Sequence, residues 1–171
     1  MDPIRRFRAR WGKLLISMTA IGCVTLIGIP VLTLFVMPDD NDAPLYIKPL
    51  MIVFFPLILF ITALFSIRSF DVHQDEILVR RLFWSNRLPY QGLESVEADP
   101  DAMKGSIRTM GNGGLFSFSG RYRNRKLGSF RAYATEIRDS VILRYGSGTV
   151  VVTPENPEEF AGLVRQFLGR G

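Results

Sequence analysis

Cysteine and histidine are almost missing from this chain: Cys23 and His73 stand alone among 171 residues. A single cysteine excludes an internal disulfide and every paired-cysteine zinc arrangement. A single histidine excludes a histidine pair binding metal at helical spacing. A Ser–His–Asp arrangement would have to be built on His73, and no Gly-x-Ser-x-Gly elbow is present to supply its nucleophile. Charge is missing too, from two long stretches. Residues 14–37 and 50–67 contain no Asp, Glu, Lys or Arg, and each holds 13 residues of the Leu, Ile, Val or Phe type. Roughly 20 residues of helix cross a bilayer core. At about −0.3 to −0.6 kcal/mol per such residue near the bilayer centre, either run favours insertion by several kcal/mol, as an upper bound that Pro30 and Pro56 reduce.

These runs predict a transmembrane helical hairpin over residues 14–67, with spans 14–37 and 50–67. A signal peptide has a shorter apolar stretch followed by a small-residue cleavage site, and no Ala-x-Ala follows here. Ala20-Ile21-Gly22-Cys23 has the outline of a lipoprotein box. Ala20 stands where leucine is usual, however, and the chain stays apolar for 14 residues beyond Cys23. Cys23 reads more simply as a small packing residue. Arg5, Arg6, Arg8, Arg10 and Lys13 form a basic N-terminal arm, 1–13, against the acidic connection 38–48 with Asp39, Asp40 and Asp42. Retention of Lys and Arg on the cytoplasmic side places both termini in the cytoplasm and the connection outside. Trp11 and Tyr46 fall where interfacial aromatics belong.

The net charge of +5 invites a nucleic-acid reading. Residues 1–67 hold six basic and four acidic side chains, and residues 68–171 hold 15 and 12. Much of the excess is therefore topology signal, and no nucleic-acid partner is expected.

Residues 68–171 suffice for one small core, and their pattern is mostly that of strands. Phe70–His73 and Ile77–Trp84 flank the polar turn Gln74-Asp75-Glu76 as a hairpin. Strand candidates follow at 93–98, 107–110, 115–119, 121–123 and 130–135. The clearest pair is 141–145 against 149–153, joined by Gly146-Ser147-Gly148. Only the end is convincingly helical: Asn156 can cap, Pro157 suits the first helical position, and Glu158 and Glu159 favour the N-terminal dipole. Phe160, Leu163, Val164, Phe167 and Leu168 then recur on one face. The expected architecture is α+β: a transmembrane hairpin, then a partly open antiparallel barrel or sandwich plugged by one C-terminal amphipathic helix.

The segment from Arg87 to Val96, with Pro89-Tyr90 followed by Leu93 and Val96, resembles part of the bacterial pleckstrin-homology-like (PH-like) domains. So do Arg108-Thr109-Met110-Gly111-Asn112-Gly113-Gly114, Gly120-Arg121-Tyr122, Leu127-Gly128-Ser129-Phe130, Tyr133-Ala134-Thr135 and the stretch from Val152 to Phe160. The resemblance covers roughly residues 70–168. It implies a seven-stranded bent sheet capped by a C-terminal helix, often preceded by membrane helices, and carries over no catalytic or ligand residues. Eukaryotic PH domains that read phosphoinositides use basic residues in the first hairpin loop, whereas Gln74-Asp75-Glu76 is acidic here.

The densest charge cluster is Arg121, Arg123, Arg125, Lys126 and Arg131, interleaved with Tyr122 and Phe130. Strand alternation puts Arg121 and Arg123 on one face. Near anionic lipid such a cluster gains about 1 kcal/mol per basic residue. An acidic partner segment would suit it equally, and a solvated strand edge is the plain alternative. Gly111-Asn112-Gly113-Gly114 fails the spacing of phosphate-binding loops and reads as a tight turn between strands. No catalytic residues, metal ligands or cofactors are expected. The expected function is a membrane-anchored cytoplasmic PH-like interaction domain of the bacterial inner membrane, its partners the bilayer itself and a membrane protein. A structural subunit of a membrane assembly and a reader of anionic lipid headgroups are the alternatives. The oligomeric state is left open.

Overall fold

The structure, a computed structural model, describes residues 3–36 and 47–169. The aspartates of the acidic connection and Tyr46 lie outside the described residues.

Arg5–Arg8 forms strand β1, followed by helix α1, Lys13–Val36, and helix α2, Ile47–Leu64. Helix α1 is long and apolar enough to cross a membrane, while the apolar stretch Lys48–Leu64 is shorter. The second apolar run is not helical to its end. The chain turns at Phe65, whose N–H donates to the Thr62 carbonyl, and Ile67 is buried in the domain core. Conversely Lys48, expected in the connection, belongs to α2.

Two sheets follow. Strands β2 (Ser69–Val72), β3 (Glu76–Arg80) and β4 (Ser85–Pro89) join β1 in a four-stranded antiparallel sheet of order β1-β2-β3-β4. Residues 5–8 of the basic N-terminal arm are thus the edge strand of the domain, with Phe7 opposite Phe70. Strands β5 (Leu93–Asp99), β6 (Ile107–Gly113), β7 (Phe118–Asn124), β8 (Gly128–Ala134), β9 (Ser140–Tyr145) and β10 (Gly148–Val152) form a second sheet of order β5-β9-β10-β8-β7-β6. The described strands number ten rather than about seven, and the sheet is not purely antiparallel, because β10 runs parallel to β8.

Period-2 alternation explains how one sheet serves two cores. On one face of the six-stranded sheet, Leu93, Val96, Tyr133, Val141, Leu143 and Val152 meet Phe70, Val72, Ile77 and Val79 of the other sheet. On the opposite face, Tyr122, Phe130, Ala132, Ile142 and Val151 pack with Met103 and with Leu15 from the first turn of α1. Helix α3, Pro157–Leu168, lies on β5 and β9 and buries Phe160, Ala161 and Val164. Asn156 occupies the capping position without a side-chain cap bond; its amide instead donates to Glu159 Oε2 at 3.3 Å.

The N-terminal strand is held by charge as well as by its ladder. Asp71 is fully buried, and its carboxylate accepts from Arg6 (2.9 and 3.1 Å), from Arg80 (2.8 Å) and from the Ser69 hydroxyl (2.9 Å). Burial alone would raise the Asp71 carboxyl, but these hydrogen bonds outweigh it and hold it below its ordinary value.

Two expectations follow. The Phe160 ring meets Phe7 edge-on at 5.2 Å and Phe70 at 6.4 Å. Phe160→Ala is therefore expected to cost about 3–5 kcal/mol, and Glu159→Ala on the exposed side far less, in thermal melts of the detergent-solubilised chain. Asp71→Asn is expected to cost about 1–3 kcal/mol at neutral pH. Because the folded carboxyl is depressed, its contribution is complete above about pH 4 and is lost as pH falls through the lower folded value. The gap between parent and Asp71→Asn should therefore close below about pH 4; a pH-independent gap would contradict the ionic clasp.

Candidate functional site

The inner face of the six-stranded sheet is not fully covered by its partner. At the β6-β7-β8 margin it opens into a cleft of about 770 Å³, walled by the C-terminal end of α2 (Ile61, Thr62, Phe65) and by the β3–β4 turn. That turn is Arg81-Leu82-Phe83-Trp84, closed by a bond from the Arg81 N–H to the Trp84 carbonyl at 2.9 Å. It forms where a strand was expected to continue through Trp84. Its Leu82 and Phe83 side chains are exposed, and the Trp84 ring meets Phe65 edge-on at 5.1 Å.

Four arginines line this cleft: Arg81, Arg108, Arg121 and Arg131. Among the described residues no Asp or Glu lines it, and none of the four has an ion-pair partner. Arg81 is the unusual member, only 7% exposed. Its guanidinium donates to Asn86 Oδ1 (2.9 Å), Ser119 Oγ (3.3 Å) and the Phe65 carbonyl, and lies within 6 Å of the Phe65, Trp84 and Tyr133 rings. Desolvation by burial, and after it the charge of Arg131 against the opposing influence of Tyr133, pushes Arg81 below its ordinary value. Arginine nevertheless stays charged at neutral pH. Arg131 lies 5.5 Å from the same Tyr133 ring. Arg121 and Arg131 are direct cross-strand partners, and like charges placed opposite each other destabilise a sheet. An anion seated in the cleft would relieve that repulsion.

The five residues singled out from the sequence divide. Arg121 and Arg131 come together in the cleft. Lys126 turns away to donate to Asp99, a bond that raises its ammonium. Arg123 and Arg125 are exposed and do not line the cleft. Arg81 and Trp84 are missing from that set because β3 has to end at Arg80 for them to reach this cleft, and Arg108 and Tyr133 because their blocks signal the family and not a site. The one signal was Arg81 standing directly before the apolar triplet Leu82-Phe83-Trp84.

The floor depends on two glycines. Gly111 and Gly120 sit opposite each other in the β6–β7 ladder, both at positive φ (105° and 142°). A Cβ on Gly120 would lie 2.1 Å from the Met110 carbonyl oxygen, and one on Gly111 2.4 Å from that of Ser119. Gly111–Gly113 therefore belongs to a strand and not to the expected tight turn. The turn comes after it, where Asn112 Oδ1 accepts from the Leu115 N–H at 3.1 Å.

A two-sheet β domain closed by a C-terminal helix, with a basic cleft at one margin, defines a PH-like binding module. Residues 68–167, more than half of the chain, match the bacterial PH domain family, and the chain belongs to it. Comparisons with curated proteins and with solved structures find no match.

Gly120→Ala is expected to force β6 from β7 and to cost more than the roughly 1–3 kcal/mol of backbone strain alone. Gly128→Ala, at φ 67° with open space around it, should cost only about 1–2 kcal/mol. Equal losses of melting temperature in the two variants would contradict the close strand approach.

Proposed function

We propose that the protein is a membrane-anchored binding module whose PH-like domain faces the cytoplasm against the inner surface of the bilayer, and that it acts by recognition and not by catalysis. The observation that carries this reading is the outward surface of α1. Ile21, Val24 and Phe35 are 67, 73 and 84% exposed, and a helix apolar all round needs an apolar solvent.

The β1–β2 ladder supports the hairpin form of the anchor. Strand β1 precedes α1 and β2 follows α2, yet the two strands pair, with the Ala9 N–H bonded to the Arg68 carbonyl at 3.1 Å. If α1 crosses the bilayer, α2 has to bring the chain back.

Span length supports close apposition. Thr19 still touches the domain, accepting from the Phe116 N–H at 3.1 Å and donating to the Gly114 carbonyl at 3.3 Å. Gly22 also lies against Leu115 of the domain, so the 14 described residues of α1 beyond it, 23 to 36, cover about 21 Å, inside the ~30 Å hydrocarbon core. With no spacer available, the domain rests on the headgroups.

A second reading, a subunit of a membrane-protein assembly, draws on β6. It is the edge of the six-stranded sheet, and Ile107 and Met110 on it are exposed, a surface suited to pairing with another chain.

Topology tests the anchor. In a Cys23→Ser background, a cysteine placed at Asp40 should react with an impermeant thiol reagent in intact cells. One at Ser147, in the exposed β9–β10 turn, should react only after lysis. External labelling at Ser147 would overturn the orientation.

A further inference from the structure

We propose that the arginine-lined cleft is a lateral binding site for the headgroup of an anionic phospholipid, entered from the bilayer along the end of α2. This rests on the membrane-anchored reading above and names the ligand of its cleft.

Charge and placement argue together. Arg81, Arg121 and Arg131 come together on one face, with Arg108 at the margin, and no carboxylate among the described residues lines the cleft. A buried guanidinium left without an anion is costly, and planar guanidinium forks match phosphate oxygens. Existing contacts already orient the group: Arg81 is fixed by Asn86, Ser119 and the rings of Phe65 and Trp84. Arg108 donates to the Gly111 carbonyl at 3.0 Å and still has donors to offer.

The cleft is also amphipathic in the right sense. One wall is Ile61 and Phe65, continuous with the apolar surface of α2, and the exposed Met110 adds to the apolar lining. A soluble anion would have no use for that wall, whereas an acyl chain lying along α2 would. Leu82 and Phe83, exposed at the tip of the neighbouring turn, place an apolar tip beside the same opening, at the level where the domain meets the headgroups. The site lies at the β3–β4 end of the first sheet, away from the acidic Gln74-Asp75-Glu76 turn that joins β2 to β3.

Trp84 supplies the probe. The chain has two tryptophans, so full-length protein carrying Trp11→Phe reports from the cleft wall alone. The protein is reconstituted in phosphatidylcholine nanodiscs containing increasing shares of brominated phosphatidylglycerol or, separately, brominated phosphatidylcholine. The phosphatidylglycerol series should quench Trp84 at a share about tenfold lower than the phosphatidylcholine series. Arg121→Gln and Arg131→Gln should each remove most of that tenfold preference. Arg123→Gln, an identical charge change two residues from Arg121 but outside the cleft, should leave it intact. Arg81→Gln is not used, since its buried bonds also hold the fold.

Equal quenching by the two lipids, or equal losses from Arg121→Gln and Arg123→Gln, would overturn the site. A change of Trp84 emission on adding soluble glycerol phosphate, in protein that shows no preference for phosphatidylglycerol over phosphatidylcholine, would assign the cleft to a free anion and overturn the lipid. Alkaline extraction of the same protein from native membranes separates the two readings. Release from the membrane would overturn the anchor and the lipid site together. Retention with no lipid preference would overturn only the lipid site.

Discussion

The Asp71 carboxylate has no contact with solvent, and Arg6, Arg80 and Ser69 all donate to it. Removing such a charge from water costs several kcal/mol unless its lone pairs are satisfied. Arg6 arrives only if the chain before α1 lies alongside β2, so satisfying this one buried group places residues 5–8 at the sheet edge. With β1 fixed, Phe7 reaches Phe160 of α3. Arg10 and Gly12 bond to Thr135 of β8's end, and α1 begins with Leu15 already in the second core. The start of α1 and the domain are thereby one packed unit and not two bodies on a tether.

That coupling positions the cleft. The chain leaves α2 at Phe65, and Ile67 enters the core two residues later. Nothing flexible separates the end of α2 from β2, so Phe65 serves at once as helix end, ring partner of Trp84 and carbonyl acceptor for Arg81. Arg121 of β7 and Arg131 of β8 face this junction because they share a strand face with Ser119 and Tyr133, while Arg108 of the edge strand β6 pairs with Tyr122 and reaches the cleft from the margin. The order of the end of α2 and of the cleft are therefore linked, because the same residue, Phe65, belongs to both.

The legible parts of the sequence were those with strong periodicity or strong composition. The charge-free runs, the Val141–Tyr145 hairpin with its partner strand, and the stripe of α3 are each specified locally. The family could be recognised from blocks such as Pro89-Tyr90 and Tyr133-Ala134-Thr135. The N-terminal strand was not legible, because its decisive contact, Arg6 with Asp71, spans 65 positions, and four residues rich in arginine carry a topology signal more readily than a strand pattern. Glycine misled in the β6 strand: Gly111 read as a turn residue, yet its lack of a Cβ, with that of Gly120 opposite it in β7, serves a close approach of two paired strands. Two of the five candidate residues, Arg121 and Arg131, came together because they are cross-strand partners on one sheet face. The other half of the cleft, Arg81 and Trp84, depends on where one strand stops.

Hydrogen exchange across residues 4–9 of the reconstituted full-length protein tests most directly whether the N-terminal segment closes the domain. The Ile4 and Ala9 amides donate to the Val72 and Arg68 carbonyls at 2.9 and 3.1 Å. The account predicts protection in this segment comparable with that of the β2–β3 pair, because opening it exposes the Asp71 clasp and Phe7 together. Exchange at the rate of an unstructured arm would contradict it.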